Sequence, residues 1–279
     1  MDHQSAFSVI IPVYKNDVPD YLDLALHSVV DAQTIKPSEV VLIIDGPVSE
    51  ELSLRIKRHF ERCPSLFKVI ALEKNGGLGN ALRIGVECAC YPICARMDSD
   101  DISVSNRFEK QLSFLQGNPD VDIVGGQICE FVDSIELPLG NRVVECTDVS
   151  IKKMMKSRCP FNHMTVMFRR ESVLKAGNYQ DWFWNEDYYL WIRMALNNCK
   201  FANLPEVLCY ARSGDGLYYR RGGLKYFKSE QRIQQYMLSK GVISPFRYCI
   251  NSSIRFIVQV LLPNRLRGWF YKLIARTRL

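Results

Sequence analysis

Apolar residues first gather as FSVIIPV (7–13), a short β-branched run ending at Pro12 and Val13. Such a run predicts a strand buried on both faces. Behind it Tyr21, Leu24, Ala25, Ser28 and Val29 recur at helical spacing. EVVLIID (39–45) predicts a second strand, stopped by Gly46-Pro47; residues 49–60 predict a helix, and KVIALE (68–73) a third strand. NGGLGNALRIGVECA (75–89) is a glycine-rich turn feeding a helix, and ICARMD (93–98) a fourth strand. Strands alternating with helices predict an α/β fold with a parallel sheet covered on both faces.

Past residue 105 the rhythm changes. RFEKQLSFLQ (107–116) predicts a helix, and VDIVGGQICEFV (121–132) and HMTVMFRRE (163–171) predict strands of a mixed extension. WNEDYYLWIRMAL (184–196) predicts a helix with Asn185 as N-cap and acids in its first turn. The expected organisation is a nucleotide-binding half over 1–104, a second half of the same domain over 105–240, and an appendage over 241–279.

Composition alters this picture in two places. The chain has 279 residues, 47% of them hydrophobic and 24% charged, as in a globular protein. Its net charge of +6 is unevenly spread: Gly241 to Leu279 holds six Arg, one Lys and no acid, +7, which leaves −1 for the rest. The partner of the positive charge belongs at the tail. There Leu266, Trp269, Phe270, Leu273 and Ile274 share one helical face, and Ile254, Ile257, Val258 and Leu261 form a similar stripe upstream. A basic amphipathic tail rich in aromatics reads as an interfacial membrane segment drawn to anionic headgroups; a helix packed on the domain is the other reading. No nucleic-acid recognition module is evident. No apolar run approaches the roughly 20 residues of a membrane span, and FSVIIPV lacks the basic flank and cleavage site of a signal peptide. Ten cysteines show no CxxC pair and no zinc spacing. Cys88, Cys90, Cys94 and Cys129 lie in apolar contexts and predict small buried side chains in a reducing compartment.

Candidate chemistry sits at strand ends: Tyr14 after the first, Asp45 after the second, Asp98-Ser99-Asp100-Asp101 after the fourth. In open α/β sheets these ends share one rim, where ligands bind. Asp98 and Asp100, two residues apart, suit Mg²⁺ or Mn²⁺ that takes substrate phosphates as further ligands. Acids this close need a positive partner, and a dication arriving with the substrate would supply it. The other reading is an acidic turn, with Asp101 and Ser103 capping the next helix. Gly76-Gly77-Leu78-Gly79 reads as a phosphate cradle at a helix start or as a tight turn. Glu186-Asp187 lies among Trp182, Phe183, Trp184, Tyr188, Tyr189 and Trp191. A carboxylate in apolar surroundings can act as a base, and the aromatics can seat a sugar or base ring or simply fill the core. Arg220-Arg221 precede Gly222-Gly223, either as a phosphate clamp or as a solvated turn. His163, before a strand, is either structural or a ligand-binding residue.

The ordered set SVIIPVY (8–14), Asp45, NGGLGNALRIG (75–85), RMDSDD (96–101), NHMTVMFRRE (162–171) and NEDYYLWIR (185–193) resembles the family 2 glycosyltransferases of the GT-A fold. The likeness is greatest to small bacterial enzymes of surface-polysaccharide assembly and covers about residues 5 to 235. It implies that Pro12, Val13 and Tyr14 line the uracil pocket of a UDP-sugar and that Asp45 bonds the uracil ring. Gly77, Ser99, Arg220 and Arg221 would serve the same donor. Asp98 would serve the ribose and metal region, and Asp100 would ligate Mn²⁺ or Mg²⁺. Asp187 would be the general base, with Glu186, Trp184 and His163 near the acceptor. Ala81-Leu82-Arg83 departs from the family's Ala-Arg-Asn, so the nucleotide contact expected there does not carry over and Arg83 is the candidate for a different one. RSGDG (212–216) lacks the metal-binding His of many relatives, and the Gln-x-x-Arg-Trp signature of polymerases is absent, which favours transfer of a single sugar. The implied reaction inverts the anomeric centre, at the inner face of a bacterial plasma membrane, onto a polyprenyl-diphosphate-linked saccharide of O-antigen, capsule or exopolysaccharide assembly. Two other readings stay open on the residues alone: a metal-dependent nucleotidyltransferase and a non-catalytic nucleotide-binding module at the membrane.

Overall fold

The run at 7–13 forms β1 (Phe7–Val13), buried at every position. In the computed structural model, which describes residues 6–213 and 222–263, β1 lies between β2 (Glu39–Ile44) and a later strand, and β2 pairs with β3 (Phe67–Ala71), all in parallel. That later strand, β4 (Ile93–Arg96), is followed by β5 (Ile102–Ser103), β6 (Ile123–Phe131), β7 (Gly140–Arg142), β8 (Met167–Arg169) and β9 (Phe201–Arg212). Among the described residues the order across the sheet is β3-β2-β1-β4-β8-β6-β9-β5, with β7 paired to β6. From β4 outward the sheet is mixed: β8 runs antiparallel to β4 and β6, β9 parallel to β6.

Period-two alternation sends neighbouring β1 residues to opposite faces. Val9 and Ile11 pack with Leu22, Leu26 and Val29 of α1 (Pro19–Val30), Leu52 and Ile56 of α2 (Glu50–Arg62), and Phe108. Ile10 packs on the other face with Ala81, Leu82 and Val86 of α3 (Leu78–Cys88). Phe108 belongs to α4 (Arg107–Gly117), and later helices are α5 (Asp148–Met155), α6 (Arg170–Lys175), α7 (Glu186–Leu196), α8 (Leu224–Ser239) and α9 (Pro245–Phe256). Leu190 and Trp191 of α7 extend the second core.

Several expectations need correcting. HMTVMFRRE is a strand only at Met167–Arg169; a 3₁₀ turn at His163–Thr165 precedes it and α6 follows. Asp101 and Ser103 cap no helix: α4 begins at Arg107 with Asn106 in the cap position, while Asp101 accepts the Arg212 amide hydrogen. Asn185 holds the cap position of α7, but its side chain donates to Ser229 Oγ. Cys94 and Cys129 are buried as expected, whereas Cys88 is half-buried and Cys90 exposed. Residues 245–256 form α9 packed on α8, prolonged by a π-helical turn at Ile257–Leu261. The stripe expected over 266–274 lies outside the described residues. No helix among the described residues is long and apolar enough to cross a membrane.

Candidate active site

The chain runs from β1 outward to β2 and β3, then returns to β4 on the other side of β1. This reversal opens a crevice at the carboxyl ends of β1 and β4. Tyr14 lies there, exposed, while Pro12 and Val13 before it are buried. Asp45, at the end of β2, is buried and takes the Gly76 amide on Oδ1 at 2.7 Å and the Gly77 amide on Oδ2 at 3.0 Å. The glycine turn is therefore stitched to the sheet by a carboxylate placed where the dipole of α3 favours negative charge. Gly77 has φ +86° and open space where a β-carbon would stand; backbone conformation, not space, requires glycine there. Asp45 thus has a structural task besides the donor contact expected of it.

At the end of β4 four carboxylates converge. Asp98, Asp100 and Asp101 bring ligand oxygens within 4.8 Å of one another. Asp17, from the β1–α1 loop, accepts the Tyr14 amide hydrogen at 2.9 Å and interacts with Ser99 and Asp98. Their positive partner is built in. Arg96, the last residue of β4 and 2% exposed, forks onto Asp98, with Nη1 donating to Oδ2 at 2.6 Å and Nη2 meeting Oδ1. Burial opposes the charge of Arg96, but Asp98 outweighs it and the guanidinium is held protonated. Asp98 is therefore largely neutralised from within. Asp101 is fully enclosed; burial first, then Asp98 and Asp100, hold its pKa far above the usual range. Asp100 reaches solvent at the mouth, yet the surrounding walls, ahead of the charges of Asp98 and Asp17, push it up to about 6. Asp17 rises to about 6 for the same first cause. Arg212, the last residue of β9, braces this turn: besides its amide bond to Asp101, its Nε donates to the Asp100 carbonyl, and its guanidinium lies 3.7 Å from the Tyr21 ring centroid.

The opposite wall is the start of α7. Gly79 lets α3 approach it, since a β-carbon there would lie 3.1 Å from Glu186 Cβ and 3.0 Å from the Gln180 carbonyl. Glu186 is buried, and desolvation followed by the charge of Asp187 raises it to about 8. Asp187 accepts from the Tyr188 amide at 2.6 Å and from Cys159 Sγ at 3.3 Å. His163 Nδ1 stands 3.9 Å from Asp187, while its Nε2 is 2.9 Å from the Tyr179 hydroxyl. Burial and the nearby Arg96 push His163 well below its ordinary pKa and keep it neutral. Arg96 also acts on Glu186, so one buried cation sits between both acidic walls.

The aromatic set around α7 divides. Tyr188 and Trp191 are core residues, and Trp182 packs tilted against Tyr189 with ring centroids 4.2 Å apart. Phe183 and Trp184 stack at 4.7 Å, with Trp184 47% exposed and at φ +55°. A bulky residue in left-handed backbone is an outlier of the kind found at ligand sites. Arg83 turns along its own helix to Glu87 and Asn80. Arg220 and Arg221 lie outside the described residues. Sequence reasoning missed Arg96, Asp17, Cys159 and Arg212. Arg96 had a signal: a lone cation inside the apolar run ICARM.

Three hard carboxylate donors within 4.8 Å fit Mg²⁺ or Mn²⁺, with Asp100 the most open and Asp98 offering the lone pairs that Arg96 leaves. Residues 8–177 match the family model described as Glycosyl transferase family 2. The amylovoran biosynthesis glycosyltransferase AmsE of Erwinia amylovora is 36% identical over 95% of this chain and 98% of its own. An Escherichia coli UDP-Gal:alpha-D-GlcNAc-diphosphoundecaprenol beta-1,3-galactosyltransferase is 36% identical over 99% and 98%. S. aureus TarS (1–349), solved with UDP-GlcNAc, superposes with TM-score 0.68 at 19% identity, covering 96% of this chain and 79% of that one. The mannosyltransferase PcManGT of Pyrobaculum calidifontis, solved with GDP-Man and Mn²⁺, gives 0.64 at 16% over 97% and 76%. The curled mixed sheet is that of the GT-A fold, and the chain belongs to glycosyltransferase family 2 of bacterial polysaccharide biosynthesis.

Proposed function

We propose that the chain moves one sugar from a UDP-sugar to a polyprenyl-diphosphate-linked saccharide with inversion at the anomeric carbon. The observation that carries this reading is the pair of acidic walls, Asp98–Asp100 and Glu186–Asp187, facing one crevice with Arg96 between them. The name of the E. coli relative supplies the acceptor class, a sugar on diphosphoundecaprenol, and a β-linked product. Asp187 is the base. Its oxygens are oriented by Cys159 and the Tyr188 amide, so it can take the acceptor hydroxyl's proton as that oxygen attacks. Glu186, protonated up to about pH 8, donates a hydrogen bond toward the acceptor rather than competing as base. Neutral His163 holds Tyr179 behind Asp187, and Trp184 offers an exposed ring for the acceptor sugar. Tyr14 and Asp45 flank the nucleobase end of the crevice, and Asp98 and Asp100 would hold the dication. When bound, that ion supplies positive charge to the departing diphosphate. UDP leaves opposite the attacking oxygen, as in single-displacement inversion.

The test is Asp187→Asn with a panel of UDP-sugars, a lipid-diphosphate-linked acceptor and product NMR. The expected result is normal UDP binding, a loss of transfer of at least about 10²-fold, and a β-linked wild-type product. Transfer at the wild-type rate by Asp187→Asn, or an α-linked product from an α-linked donor, would overturn it.

A further inference from the structure

Helix α9 is amphipathic the wrong way round for a protein surface in water. Its inward side is polar apart from Tyr248, which packs on the second core: Asn251 donates to the Lys156 carbonyl and to Gln234 Oε1, each at 2.8 Å, and is 7% exposed. Arg247 reaches Ser157 Oγ, and Arg255 bonds Glu230 and the Ser157 carbonyl. In the π-helical turn Gln259 is buried, its carbonyl taking the Gly223 amide at 2.9 Å, and only Val258 brings an apolar side chain inward. The outward side carries Phe246 (77% exposed), Ile250 (42%), Ile254 (52%), Ile257 (50%) and Leu261 (60%). Their spacing of four, four, three and four residues places them on one stripe. A surface helix in water turns its apolar stripe to the core and its polar side out; single exposed apolar residues need no cause, but a continuous row of five does.

We propose that this stripe lies in the plane of an anionic lipid bilayer, with its side chains among the acyl chains just below the headgroups. Charge selects this occupant. Arg247 and Arg255 are turned to the protein, but the sequence after Pro263 adds Arg265, Arg267, Lys272, Arg276 and Arg278 and no acid; these five cations draw the region to an anionic surface and oppose self-association, because two copies would bring +5 against +5. An in-plane helix, rather than a spanning one, matches this length and moment. The inference deepens the proposed transfer to a lipid-linked acceptor, by naming the surface that brings enzyme and acceptor together, and in that sense rests on it; its readout does not.

The test is flotation of the full chain with phosphatidylcholine vesicles, with and without phosphatidylglycerol, in the absence of donor and acceptor. The chain is expected to float with the anionic vesicles. Ile254→Glu/Ile257→Glu should lower the bound fraction at least about tenfold, while Val149→Glu, 79% exposed on α5, should float like the wild type. Far-UV circular dichroism checks the fold, and Phe246→Ser, at the most exposed position, gives the same reading if the double variant does not fold. A wild-type chain that stays with the soluble fraction, or a double variant that floats unchanged, overturns the proposal. So does a double variant that floats unchanged but splits a dimer in light scattering, which gives the face to a second copy. Failure of the transfer assay with intact flotation counts against the proposed reaction and leaves the docking face standing.

Discussion

Removing Asp98 should destabilise the fold more than removing Arg96, even though Asp98 is the residue facing the crevice. Arg96 is 2% exposed and its Nε has no partner, so its two terminal nitrogens rely on Asp98. Asp98→Ala leaves a buried guanidinium uncompensated, which costs about 3–5 kcal/mol. Arg96→Met leaves a carboxylate whose side chain is 27% exposed and can regain water, so about 1–3 kcal/mol is expected. For a chain of this size 3 kcal/mol lowers Tm by roughly 5 °C. The double variant removes both charges and should cost less than the sum, a coupling of the kind that contacting residues show. Urea unfolding of the metal-free protein, with thermal melts as a second probe, measures all three. If Asp98→Ala unfolds at the wild-type urea midpoint, or Arg96→Met is the more damaging change, Arg96 does not depend on Asp98 and the internal neutralisation of the acidic turn is wrong.

Glu186→Gln should change stability with a definite sign. The folded pKa of Glu186, about 8, lies above its ordinary 4.5, so its contribution is full below pH 4.5 and is lost as pH rises through 8. Gln does not titrate; the variant should match wild type near pH 4.5 and melt higher at pH 9, and parallel melting curves across that range would remove the burial argument. Gly77→Ala should cost about 1–3 kcal/mol through its positive-φ extended backbone alone, seen as a lower urea midpoint. Gly79→Val should act differently, pushing Glu186 and the Gln180 backbone away and reducing transfer more than stability; unchanged kcat/KM would show that α3 does not set the position of α7.

The parallel half was legible because its strands are contiguous apolar runs separated by clear punctuation. What escaped has physical causes. β9 contains Pro205, which cannot donate to a ladder; its register with β6 jumps from Gly126↔Leu204 to Gln127↔Val207, so Pro205 and Glu206 sit in an irregularity that keeps the twelve-residue strand paired. α8, LKYFKSEQRIQQYMLS, hides its inward face because three of the residues it buries, Ser229, Glu230 and Gln234, are polar and interrupt the apolar period. The strand-end acids could be read directly, as could their common rim. Their inequality could not, since it depends on Arg96 pointing inward from a strand, on Arg212 arriving from a strand more than a hundred residues later, and on Asp17 folding back from the first loop. Spacing also placed six aromatics together around α7 that burial then separates into core and surface.

That inequality sets how the site should respond to acid. Asp98 is paired with Arg96, and Asp101 is enclosed with its pKa held far above the usual range, which leaves Asp100 and Asp17, each at about 6, as the exposed-side pair that titrates near neutrality. Both lie above the ordinary 3.8, so their stability contribution is present below pH 3.8 and is lost as pH rises through 6. A dication reverses the sense: it binds the deprotonated carboxylates, so its affinity should fall about tenfold per pH unit below 6 for each carboxylate that must lose a proton. Titration of Mn²⁺ alone at pH 5, 6 and 7, followed by electron paramagnetic resonance of the free ion, tests this without the titration of a nucleotide. Asp100→Asn should bind weakly and with a flatter pH dependence. Affinity that is constant from pH 7 to pH 5 would mean that the ion is held elsewhere, because no ligand set that includes Asp100 in this setting can bind it without displacing a proton.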